Sequence, residues 1–175
     1  MNDIVTWIRE RVPADTDLDR PTMVKLVADL VAAEHLWRPF VRHEREERYY
    51  RQLYRDPNLD VWLICWLEGQ STGYHDHDRS AGAVQVCEGV LYEDWFRIEE
   101  DGWVRERTTE HRAGGTFDFD AGDIHGVRHP GPGYPPATSI HVYSPALWRM
   151  GHYEPGPRGM RRVGVTYADE LLEVA

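Results

Sequence analysis

Residues 73–82 read GYHDHDRSAG, with His75 and His77 one residue apart. A β-strand alternates its side chains, so an HxH pair within a strand carries both imidazoles on one face. Neutral imidazole is a common protein ligand for zinc, copper, nickel and iron, and a pair on one rigid strand loses little entropy on chelation. Two further stretches carry chemistry of the same kind. His125 follows a glycine turn in GDIHGV at 122–127, and TSIHVYS at 138–144 sets Ser139, His141 and Tyr143 on a shared face.

The text around these histidines is strand-like. From about residue 58 to 145 short runs rich in Val, Ile, Trp, Tyr and Phe are punctuated by Gly, Asp and Pro: DVWLICWLE, GAVQVCEGVLYEDWFRI, WVRERTTEHRA, GTFDFDAGD and TSIHVYS. Many short strands with glycine turns predict a sandwich or barrel. Upstream, helices are predicted over 2–11 and 21–36, the second from the helical spacing of Met23, Leu26, Val27, Leu30 and Val31 after Pro21. The run RHEREERYYR at 42–51 reads as the solvated end of a helix, and HPGPGYPP at 129–136 as a loop. The tail from Glu154 reads as a loop, a weak final strand and a few helix-friendly residues. One domain over 1–175 is expected, with a helical segment 1–48 covering one end of the barrel, a core over 49–148 and a C-terminal extension over 149–175.

Composition narrows the partners. A formal charge of −10 and a single lysine, Lys25, argue against nucleic acid, which needs clustered cations. No apolar run approaches the roughly 20 residues that span a bilayer, and MNDIVTWIRERV lacks the features of a secretory signal. A soluble cytoplasmic protein, monomeric or a small homo-oligomer, is the expectation. Cys65 and Cys87 sit in apolar runs without CxxC spacing and read as buried reduced thiols.

The spacing of glycines and histidines resembles the cupin motifs. Gly69, five residues, His75-Asp76-His77, four residues, Gly82, six residues and Gly89 follow the first motif, with glycine where cupins carry glutamate. Gly114, five residues, Asp120-Ala121-Gly122, two residues, His125, three residues and His129 follow the second, with Asp120 in place of proline and His129 in place of asparagine. The resemblance implies a mainly β fold, a small antiparallel double-sheet barrel with N-terminal helices, and a divalent metal held by His75, His77 and His125. Without the glutamate, three neutral imidazoles leave the ion its full charge and up to three open positions on one octahedral face.

YYRQLYRDPNLDVWLICWLEG, HDHDRSAG, GDIHGV and SIHVYSPAL together resemble the thiol dioxygenase branch of the cupins, the family of cysteine dioxygenase, over about residues 49–147. The resemblance implies one Fe(II) held by the three histidines, a pocket strand presenting Ser139, His141 and Tyr143, and a YxR arginine that binds the substrate carboxylate. Aligned without a gap, that arginine is Arg51, with Tyr49 beside it; a shift of one residue would put Gln52 there. The implied substrates are a small thiol and O2, brought together on one ion so that both oxygen atoms end on sulfur as a sulfinic acid. Mammalian-type members carry at the position of Gly82 a cysteine crosslinked to the strand tyrosine, so Tyr143 is expected to be an unmodified phenol. Cysteine is the expected substrate and 3-mercaptopropionate or another small thiol carboxylate the alternative. A metal- or ligand-binding cupin without catalysis is the second alternative. A zinc or manganese isomerase or decarboxylase would ordinarily keep the missing glutamate. Among the other histidines, His129 and His152 are read as structural.

Overall fold

The computed structural model describes residues 3–98, 104–157 and 159–172. Helix α1 (Ile4–Arg9) starts at Asp3, whose carboxylate accepts from the Thr6 amide at 3.1 Å. Helix α2 (Arg20–Ala32) starts likewise at Asp19, which accepts from the Thr22 amide at 2.9 Å. Each cap satisfies an amide that has no partner inside its helix. Met23, Leu26, Val27 and Leu30 form the buried face of α2. Ala33 leaves the helical region at φ −88° and ψ 57°, which separates α2 from the short α3 (Glu34–Trp37). A 3-10 turn, Arg38–Phe40, follows.

The run from Arg42 to Tyr49 is not the end of a helix as its charge pattern suggested: it is irregular, and the strands begin at Tyr50. Pro39 lacks an amide proton and its ring obstructs the preceding turn, so α3 ends at Trp37 and a single 3-10 turn over Arg38–Phe40 precedes the charged residues.

Strands β1 (Tyr50–Arg55), β2 (Asp60–Trp66), β3 (Tyr74–His75), β4 (Ala81–Glu88), β5 (Val90–Ile98) and β6 (Val104–Arg112) precede β7 (Thr116–Phe119), β8 (Ile124–Arg128) and β9 (Ala137–Ser144). β10 (Arg149–Gly156), β11 (Gly159–Tyr167) and a short helix α4 (Ala168–Leu172) complete the described chain. They form a five-stranded sheet in the order β1-β2-β9-β4-β7 and a six-stranded sheet in the order β11-β10-β3-β8-β5-β6, with antiparallel pairing throughout. This is the mainly β, double-sheet cupin architecture that the resemblance implied.

Alternation sorts the first sheet into two faces. Val61, Leu63, Cys65, Ile140 and Val142 pack in one cluster with Met23, Leu26, Val27 and Leu30 of α2. Trp62, Ile64, Trp66, Val84, Val86 and Tyr143 point the other way, into a second cluster with Leu91, Phe117, Phe119 and Val127 from between the sheets. A five-stranded sheet apolar on both faces needs a cover on its outer side, and the helical layer supplies it. The N-terminal helices therefore lie on the outer face of this sheet, where α2 contacts β4, β7 and β9, and not across one end of the barrel.

The segment after residue 148 is also more regular than its sequence suggested. β10 pairs with β3, setting His152 opposite His75, and β11 closes a hairpin on β10. These strands belong to the barrel wall. β11 is an edge strand whose residues from Arg161 to Val165 are exposed on both faces, so no burial alternation marks it in the sequence.

Candidate metal centre and active-site cavity

β3 and β8 pair at His75 and His125, and His77 follows β3 by two residues on the same side. These three imidazoles are buried, and their ligand atoms lie within 4.8 Å of one another. Hydrogen bonds select the tautomers. Gly73 O faces His75 Nδ1 at 3.1 Å and Glu93 Oε1 faces His125 Nδ1 at 2.9 Å. A carbonyl and a carboxylate only accept, so both Nδ1 atoms carry protons and both Nε2 lone pairs are left for a ligand.

His77 differs, because both its ring nitrogens are buried without a hydrogen-bond partner. An imidazole in that state is unfavourable unless something occupies a lone pair. Burial, followed by repulsion from neighbouring imidazoles, holds His75 and His77 well below the usual histidine range, so both are neutral. Three imidazole nitrogen donors suit a borderline transition ion such as iron, zinc or copper. The residues present therefore fit a divalent metal.

Gly82 has a steric role here. It sits opposite Tyr143 on β9 and Phe119 on β7, and a Cβ at this position would lie 2.3 Å from Phe119 Cζ. Phe119 uses that space to stack on His77, with ring centroids 4.4 Å apart and planes at 20°, while also touching His125 at 4.4 Å. The absent side chain at 82 is what lets an aromatic ring support the histidines.

A cavity of about 150 Å³ opens on His75 and His125. Its walls are Tyr50, Trp62, Ile64, Val127, Leu147, Met150 and Leu171, with polar groups from Arg48, Thr72, His141, Tyr143, His152 and Thr166. Among the described residues no carboxylate lines it.

The strand trio expected from SIHVYS is assembled. Trp66 Nε1 donates to Ser139 Oγ at 2.9 Å, Ser139 Oγ lies 2.8 Å from His141 Nε2, and His141 Nδ1 lies 3.2 Å from the Tyr143 hydroxyl. Indole N–H can only donate, so Ser139 accepts from Trp66 and keeps its own proton available to His141 Nε2. In the tautomer in which Nε2 accepts that proton, His141 donates from Nδ1 to the Tyr143 oxygen, and the Tyr143 proton is free to point into the cavity. Burial, with a smaller contribution from His125, pushes His141 down to about 3, so it stays neutral. Burial and then Asp60 push the Tyr143 phenol up, so it stays protonated.

The expected carboxylate-binding pair is corrected. Arg51 is exposed and lies over the Phe40 ring at 4.3 Å, and Tyr49 packs against the helix-facing core under Arg42. Gln52 donates to Asp60 Oδ1 at 2.9 Å and does not line the cavity. The strand frame explains this: residues 49, 51 and 53 share the outer face, and Leu53 is in the helix-facing cluster. Arg48 and Tyr50 are the residues that reach the cavity. Arg48 lies 5.0 Å from the Trp66 ring, donates to Ser71 O, and has a buried Nε without a partner. Burial pulls its guanidinium below the usual arginine range, and no carboxylate pairs with it among the described residues. Tyr50 stands beside Trp62 at 5.8 Å and donates to Leu171 O at 3.1 Å.

Two more residues gain a place at the site: His152, which the sequence reading took as structural, and Glu93, which it passed over. His152 lines the cavity with Nε2 2.8 Å from Thr166 Oγ1. Glu93 is buried, accepting from His125 and from His111. Burial alone would push that carboxylate up, but the bonds from His111 and His125 outweigh it and hold the group at about 2. Glu93 lies in a continuous strand-like run, and only its distant pairing with β8 gives it a role. His129, at the asparagine position of the motif, is structural as expected, with Nε2 donating to Pro135 O at 2.9 Å and Nδ1 accepting from the Gly131 amide.

Comparison with known proteins agrees with this geometry. The sequence profile of the family described as "Cysteine dioxygenase type I" matches residues 2–155. A cysteine dioxygenase type 1 of Danio rerio is 25% identical over 131 residues, covering 67% of this chain and 64% of that protein. The Rattus norvegicus cysteine dioxygenase type 1 is 29% identical over 107 residues, covering 56% and 52% respectively. The chain thus spans between half and two thirds of the length of these relatives. The crystal structure of vicilin from Corylus avellana matches with a TM-score of 0.51 at 15% identity, over 59% of this chain and 30% of that one, a likeness of fold alone.

Proposed function

Because the chain belongs to the cysteine dioxygenase type I family, we propose that it is a mononuclear Fe(II) thiol dioxygenase that converts L-cysteine and O2 to cysteine sulfinic acid. The observation that carries this reading is a cavity that opens on His75 and His125, two of three convergent buried imidazoles, and that has on its wall an arginine, Arg48, without a carboxylate partner among the described residues. Iron held by His75, His77 and His125 would supply the redox chemistry between a thiol and O2.

The chain's own residues do the rest. Arg48 presents a planar fork that fits a carboxylate, and its burial makes that pairing stronger than it would be in water. Fixing the carboxylate orients the thiol end of a short substrate toward the histidines. Tyr143 offers its proton to an oxygen or to the substrate, and Trp66, Ser139 and His141 keep that proton pointing inward. Ile64, Val127, Leu147 and Met150 exclude water from the reacting sulfur.

The lining also favours a second substrate reading. With no carboxylate on its wall among the described residues, the cavity offers an ammonium group no counter-ion, so the α-amine of cysteine would have to bind uncharged. A thiol carboxylate without an amine, such as 3-mercaptopropionate, meets no such demand. Oxygen uptake and sulfinate formation with each thiol test both readings. Sulfinate from either thiol supports the dioxygenase, the faster one names the substrate, and iron-loaded protein that consumes neither overturns both. A binding cupin without catalysis would have no use for Arg48 and the proton chain at Tyr143, and would hold metal without turnover.

A further inference from the structure

The three metal-facing imidazoles have unlike supports among the described residues: His75 rests on a backbone carbonyl, His77 on aromatic stacking, and His125 on a carboxylate. That carboxylate, Glu93, has both oxygens engaged. Oε1 accepts from His125 Nδ1 at 2.9 Å, and Oε2 accepts from His111 Nε2 at 3.1 Å. His111 comes from the neighbouring strand β6 and is itself clamped against Phe117, with ring centroids 4.3 Å apart and planes at 27°. A buried carboxylate with only one bond could rotate and leave His125 free to change tautomer. The second bond removes that freedom.

We propose that Glu93, anchored by His111, is the positioning residue that fixes His125 with Nε2 toward the metal and enriches it electronically, so that this pair sets metal affinity and redox potential. The inference rests on the reading of His75, His77 and His125 as a metal site. The physical basis is general: a carboxylate behind a ligating imidazole fixes its tautomer and raises its basicity, and removing it weakens metal binding by about 10–100-fold. His111 adds a consequence specific to this chain. It holds Glu93 behind His125, so the carboxylate that is bonded to a metal-facing histidine among the described residues stays out of the ligand set, which remains three imidazole nitrogens.

The test uses the full chain and Co(II), with affinity measured by chelator competition and geometry followed by visible absorption. Glu93→Gln keeps the size of the side chain and removes its charge; about a 10–100-fold loss of Co(II) affinity is expected. The visible spectrum should change, and the Fe(III)/Fe(II) potential of iron-loaded protein should move to a more positive value. His111→Leu should weaken Co(II) binding in the same direction, and His111→Gln, which restores a donor to Glu93, should recover most of the loss. A residue that merely supported the fold would lower the thermal midpoint without moving spectrum or potential. Parental affinity and spectrum in both Glu93→Gln and His111→Leu would overturn the inference while leaving the metal site standing. Should Glu93→Gln fail to fold, the His111→Leu and His111→Gln pair decides alone. A parent chain that binds no Co(II) at these histidines would overturn the metal-site reading and this inference with it.

Discussion

At the scale of single residues, the account depends on Arg48 and Tyr143 facing one cavity and on Arg51 facing away from it. Loss of a charge-assisted hydrogen bond of about 1.5–3 kcal/mol corresponds to a 10–150-fold change in binding. Arg48→Ala should therefore raise KM for a thiol carboxylate by about that factor, whereas Arg51→Ala should leave KM within about twofold, both read by steady-state oxygen uptake. Tyr143→Phe removes the hydroxyl that faces the cavity and bonds to His141 but leaves the three metal-facing histidines in place, so kcat should fall while Co(II) affinity is unchanged. Gly82 gives a stability test. A methyl group there would lie 2.3 Å from Phe119 Cζ, and overpacking of this kind costs about 1–3 kcal/mol. Gly82→Ala should lower the denaturant midpoint of the metal-free protein accordingly.

At the scale of elements, much of the site was legible because a strand has a fixed period. HxH and SxHxY each name residues on one face, and the structure does bring Ser139, His141 and Tyr143 together beside His75, His77 and His125. The same period explains the failure at β1. YYRQLY carries apolar or aromatic residues on both faces, Tyr50 inward and Tyr49 and Leu53 outward, so a choice of frame cannot be made from the pattern alone. Partnership with β2 decides it, since Tyr50 pairs with Ile64, which faces the interior. His152 and Glu93 were illegible for a different reason: each acquires its role from a strand distant in sequence. The helical layer offers an element-scale test. Leu30 is fully buried on the α2 face that packs with Val142, Leu63 and their neighbours. Leu30→Ala should cost about 2–5 kcal/mol by denaturant unfolding, and the variant, once folded, should keep parental Co(II) affinity, because α2 covers the sheet face opposite the histidines.

At the scale of the whole molecule, the histidines tie stability to pH and to metal. Burial holds His75 and His77 well below the histidine range and His141 at about 3 in the folded chain, while in the unfolded chain each titrates near 6.5. Below about pH 6.5 the unfolded state therefore binds more protons, so this contribution is fully present above that pH and is lost progressively as pH falls toward the folded values. The metal-free protein should show a thermal midpoint that falls between pH 7.5 and 5.5. Metal binding needs the same neutral imidazoles, so the loaded protein should melt higher at pH 7.5 and show a steeper fall with acid. Chelation should bring it back to the metal-free midpoint.

The most direct measurement of the central claim is turnover by anaerobically iron-loaded protein given thiol and 18O2, comparing the parent chain with Arg48→Ala at matched iron content. The expected result is one O2 consumed per thiol, a sulfinate carrying two 18O atoms, and a large rise in KM in the variant. Thiol left unoxidised, disulfide as the product, or a KM indifferent to Arg48 would contradict it.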